Sequence, residues 1–108
     1  MRLISCALVA LLLAACGGEK PDDAATSWTA TLQMTAEKWA ANSVPARFVR
    51  ATCDSAQKAL QQASKQPSDD DTRKKLDKAL AAAGKLRDAA ERGDRNAARQ
   101  IAQELRKP

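Results

Sequence analysis

Residues 68–92, SDDDTRKKLDKALAAAGKLRDAAER, decide the fold. Leu76, Ala79, Ala83, Leu86 and Ala90 recur at steps of three and four, an a/d seam on the 3.6-residue period of an α-helix. Ser68 followed by Asp71 predicts a capping-box variant at the start, where acids complement the positive end of the helix dipole. Gly84 interrupts the seam at a cost of about 1 kcal/mol relative to Ala. Arg92-Gly93-Asp94 closes the helix with a glycine cap and opens the next with an aspartate cap.

The same period extends outward in both directions. Downstream, Ala97, Ala98, Ile101 and Leu105 make a short amphipathic helix that ends before Pro108. Upstream, Val49, Cys53, Ala56, Leu60 and Ala63 form the stripe of another helix, and Phe48 is expected to broaden it. That helix should take Ser43 as its cap, carry Pro45 in its first turn, and end near Gln66 because Pro67 disfavours helical geometry before it. A first helix is expected over about Asp23 to Asn42, with Trp28, Leu32, Thr35 and Trp39 on one face. No segment alternates with the period of a strand. The chain therefore reads as all-α, a small antiparallel three- to four-helix bundle. The second and third helices should form its spine, with the first and last covering it.

Before the bundle lies a different kind of sequence. Arg2 is followed by an apolar run from Leu3 to Leu13, too short to span a bilayer and suited to export. Leu13-Ala14-Ala15-Cys16 ends that run and resembles the lipobox of bacterial lipoproteins. Leu3-Ile4-Ser5-Cys6 fits the same letters but has no apolar stretch ahead of it, so Cys6 is read as part of the discarded leader. The resemblance covers residues 1–18. It implies cleavage after residue 15, acylation of Cys16, a lipidated cysteine and tether over 16–22, and a bundle domain over 23–108. Several acyl chains make a lasting anchor where one binds only marginally. Gly17, in place of the aspartate associated with inner-membrane retention, implies a periplasm-facing anchor in the outer membrane.

Charge and composition narrow the function. The chain has 108 residues, 18 Lys and Arg, 13 Asp and Glu, and no His. Without histidine there is no His-based triad, proton shuttle or His zinc site. No glycine-rich phosphate loop occurs, and no carboxylate falls within an apolar stripe where burial could raise its pKa. The expectation is a chain that is not an enzyme and needs neither cofactor nor metal. Asp69-Asp70-Asp71 lacks the alternation, glycine and distal glutamate of a calcium loop and is read as helix-start electrostatics.

Residues 19–71 carry six basic and eight acidic side chains, and residues 72–108 carry eleven and five. An exported domain does not meet nucleic acid, so the basic half reads first as a solvated helix surface and second as a face for an anionic envelope component. Its densest cluster is Arg73, Lys74, Lys75 and Lys78. Cys53, the single cysteine left after maturation besides Cys16, is read as core filler, with an intermolecular disulfide as the other option. Trp28 and Trp39 are read as core anchors. The function expected is that of a membrane-held helical adaptor for an envelope protein. The alternatives are a binder of lipopolysaccharide or anionic lipid through the basic half, or a periplasmic inhibitor or immunity lipoprotein. Lys107 followed by Pro108, with helix breaks at Pro45, Pro67 and Gly93, argues against wall attachment of the murein-lipoprotein kind.

Overall fold

The computed structural model describes residues 20–107. Among the described residues four α-helices follow one another: α1 (Pro21–Ala40), α2 (Ala46–Ser64), α3 (Asp70–Arg92) and α4 (Arg95–Arg106). There is no strand among the described residues, and they form an all-α four-helix bundle. The expected leader, the lipobox reading of Cys16 and the part of the expected tether before Lys20 fall outside the described residues.

Each helix begins and ends for a local reason. Pro21 starts α1, where a missing N–H costs nothing because that position has no intrahelical partner. The helix occupies 21–40 rather than 23–42, so Pro21 and Asp22 belong to it and not to a tether. It stops at Asn42, which adopts a left-handed φ of 63°. The Ser43 amide reaches the Lys38 carbonyl at 2.8 Å and the Asn42 amide reaches the Trp39 carbonyl at 2.9 Å, a Schellman closure. Gly93, at φ 69°, closes α3 in the same way, with the Asp94 amide on the Ala89 carbonyl at 2.9 Å. Asp94 then caps α4 by accepting the Ala97 amide at 3.0 Å.

Two expected caps are displaced. Ser43 is consumed by the end of α1, so α2 begins at Ala46, with Pro45 extended at the cap position rather than in the first turn, and with no side-chain cap. At α3 the cap is Asp69, whose carboxylate accepts the Thr72 amide at 2.7 Å. Ser68 sits one residue too early, and its Oγ is buried without a hydrogen-bond partner among the described residues. Asp69 therefore takes the cap one residue later than Ser68, and its carboxylate bond to the Thr72 amide is charge-assisted.

The seams read from the sequence are the core. Val49, Cys53, Ala56, Leu60 and Ala63 of α2 are buried, as are Leu76, Ala79, Ala83, Leu86 and Ala90 of α3. Leu32, Thr35 and Trp39 of α1 are buried beside them, with Trp28 half-buried at the edge. Ala98, Ile101 and Leu105 bring in α4. Phe48 does not broaden the α2 stripe: it stands 48% exposed, one position off the seam at Val49. A helix in contact with only two neighbours buries a narrow stripe, and Phe48 falls outside it.

The arrangement also corrects the expected spine. Among the described helices α1 and α3 each touch every other one, whereas α2 and α4 do not touch one another. The central pair is thus α1 with α3, flanked on opposite sides by α2 and α4. The α2–α3 interface is still the most extensive. What lets α1 occupy the centre is alanine: Ala24, Ala25, Ala36 and Ala40 are all buried, and side chains this small admit neighbours on more than one face. Consecutive helices run antiparallel. Asp54 of α2 pairs with Arg87 late in α3 at 3.2 Å, and Lys78 early in α3 meets Lys107 beyond the end of α4.

Candidate functional site

The helix directions gather three ends in one place. The start of α1, the start of α3 and the end of α4 share one end of the bundle, tied by Lys75 Nζ on Asp22 Oδ1 at 2.9 Å and by Lys78 Nζ donating to the Lys107 carbonyl at 3.2 Å. Between them lies a groove of about 290 Å³. Ala25, Ala30 and Leu105 supply its apolar wall, Thr26, Thr29 and Gln33 its α1 side, and Lys75, Lys78 and Lys107 its basic rim.

The cluster Arg73, Lys74, Lys75 and Lys78 is exposed throughout, but the helix does not keep it together. At 100° per residue Arg73 points roughly opposite to Lys75 and Lys78. Lys75 and Lys78 line the groove, while Arg73 and Lys74 do not. Lys74, Lys78, Lys85 and Arg92 instead share one stripe along α3, spaced by four and then seven residues. Lys78 and Lys85 also border a second, smaller hollow against Ile101 and Leu105 of α4.

Much of the remaining positive charge is used inside the fold. Arg95 donates through Nε to the Trp39 carbonyl at 3.3 Å and through Nη2 to Asn42 Oδ1 at 3.1 Å, and its guanidinium lies 5.2 Å from the centre of the Trp39 ring. Arg99 reaches the Ala40 carbonyl at 3.4 Å. Arg95 and Arg99 of α4 thus meet the negative end of the α1 dipole, and the Arg95 cation faces an indole. Arg87 pairs with Asp54 and Glu91, Arg92 with Asp88 and Asp94, and Arg106 with Glu37. No ion pair is seen at Lys74, Lys78 or Lys85 among the described residues. The part that α4 plays in capping α1 had no signal in the sequence, because Arg95 and Arg99 look like any exposed helix arginines.

The ionisable groups carry structural shifts. The Arg106 guanidinium hydrogen-bonded to Glu37 holds that carboxyl below its ordinary value, with Gln33 assisting. Hydrogen bonds from Thr72 lower the Asp69 carboxyl. The Asp22 carboxylate raises Lys75. Burial, reinforced by the neighbouring Asp54 charge, pushes the Cys53 thiol up to about 12. A thiol so buried and so weakly acidic is a poor nucleophile, and Cys53 is unbridged. No group of three His, Cys, Asp or Glu able to hold a metal ion occurs among the described residues. No helix among them is long and apolar enough to cross a membrane.

Fold and site together define a class: a small all-α four-helix bundle with a groove at one end, apolar inside and basic at the rim. Comparison with family models, curated proteins and solved structures returns no match to this chain.

Proposed function

We propose that this chain is a non-catalytic bacterial envelope lipoprotein, acylated on Cys16 after cleavage behind Ala15, whose helical bundle serves as an adaptor for another envelope protein. The observation that carries the reading is Leu13-Ala14-Ala15-Cys16 at the end of the apolar run from Leu3. The bundle faces the periplasm from the outer membrane, as Gly17 favours. A tethered module searches a surface rather than a volume, so even a weak face gains effective concentration. Lack of histidine and the burial of Cys53 support a binding role over a catalytic one.

The test is metabolic labelling with a fatty acid, followed by membrane fractionation, of the native chain and of Cys16→Ser. The native protein should take up label and sediment with outer membranes, and the variant should do neither. Crosslinking from intact envelopes should then capture a protein partner; label retained by Cys16→Ser would refute the tether.

A second reading, binding of an anionic envelope component, is favoured by one feature: the lysines at 74, 78 and 85 share a stripe of α3. Binding to vesicles containing anionic lipid should then fall as salt rises, because exposed charges are screened over about 8–10 Å near physiological ionic strength. Binding indifferent to salt would reject it.

A further inference from the structure

We propose that the groove between α1, α3 and α4 binds a single acyl chain that ends in an anionic headgroup. It rests on the second reading above for the charge of the ligand, and adds a chain-binding site that exposed lysines alone do not require. Ala25, Ala30 and Leu105 offer an apolar wall, and Thr26 and Thr29 line the same space. Lys78 and Lys107 stand at the rim, where a carboxylate or phosphate would meet them.

Three observations fit this occupant. The groove is open to solvent along an apolar wall, which favours a hydrocarbon over a sugar or a free phosphate. Its rim is basic: Lys75, Lys78 and Lys107 border it, and no acidic side chain among the described residues lines it. Lys78 is held at the rim by its bond to the Lys107 carbonyl, and Lys75 by its pair with Asp22. Asp22 neutralises much of Lys75, so the charge available to a headgroup comes from Lys78 and Lys107. At about 290 Å³ the space lies at the lower end of small-ligand sites, which begin near about 300 Å³, so it suits one chain and not a two-chain lipid.

The experiment uses the full chain reconstituted in neutral phosphatidylcholine vesicles, with a trace of a photoreactive fatty acid or of its methyl ester. Crosslinked peptides are mapped by mass spectrometry. The carboxylate should label residues 25–33 and 105–107 about tenfold more than the ester, the preference expected from two exposed lysines. Lys78→Gln with Lys107→Gln should abolish that preference. Ala30→Trp, which fills the groove from an exposed position, should block labelling while circular dichroism stays native. Arg73→Gln should change nothing. Equal labelling by the ester, survival of labelling in Ala30→Trp, or an equal loss in Arg73→Gln would overturn the proposal. Failure here leaves salt-dependent vesicle binding intact, whereas failure of the second reading removes that binding in the native chain.

Discussion

Leu86→Ala is the sharpest test of how this bundle is held together. Leu86 is fully buried on α3, the helix that touches all three others. Truncation removes its transfer free energy and leaves a cavity, and the cost depends on how far the surroundings collapse; the Leu→Ala range is about 2.7–5.0 kcal/mol. Here the neighbours on the seam are Ala79, Ala82, Ala83, Ala89 and Ala90, all buried. Alanine has no rotamer with which to fill a void, so the cost should fall in the upper half, about 4 kcal/mol. A domain spanning residues 20–107 has a total stability of about 4–13 kcal/mol at the usual value per residue. The substitution thus takes a third or more of it, and lowers Tm by about 15–30 °C at the usual 4–8 °C per kcal/mol for this size. Thermal unfolding followed by far-ultraviolet circular dichroism measures it, with Leu80→Ala as the control. Leu80 is the same residue type on the same helix but only partly buried against the core, and should cost less than half as much. Equal shifts for the two, or a fall of less than about 5 °C for Leu86→Ala, would refute a core organised around the α3 seam.

Three further outcomes follow from the geometry. Gly93→Ala and Gly84→Ala should act with opposite sign in urea titrations: the first places a Cβ at φ 69° and should cost about 1–2 kcal/mol. The second meets only Gln57 Nε2 at 3.6 Å, an ordinary contact, and should gain up to about 1 kcal/mol of helix propensity. Cys53 should resist maleimide at neutral pH until denaturant is added, as read by mass spectrometry of its peptide; labelling in the native state at the rate of a small thiol would contradict its burial. On the acid side, Asp69 and Glu37 have folded values below their ordinary 3.8 and 4.5. Their contribution is complete above those ordinary values and is lost as pH falls through the lowered folded ones. Asp69→Asn with Glu37→Gln should therefore flatten the decline of Tm with acidification, and an unchanged slope would show that other groups control it.

The helical character, the seams of α2 and α3 and the glycine stop at Gly93 are legible in the residues alone, because period and turn chemistry are local properties. A 3.6-residue repeat of Leu and Ala has one use in water, and a glycine followed by aspartate has few. The cap positions are less legible: Ser68 and Asp69 compete for the same role, and only the path of the chain shows that Asp69 takes it. Phe48 belongs to the apolar set by letter, yet lies outside the contact because α2 has neighbours on one side only.

What the sequence determined by itself is the helical character of residues 20–107 and most of the stripes that their helices bury. Which helices stand at the centre, and which lysines share a surface, were decided by packing. Alanine is nearly silent in a sequence, and its small volume lets α1 be gripped from three sides. Neighbours in sequence such as Arg73 and Lys74 part because each residue turns by 100° about the helix axis. Lys78 and Lys107, far apart in the chain, meet because α3 and α4 run in opposite directions, so that α3 starts where α4 ends.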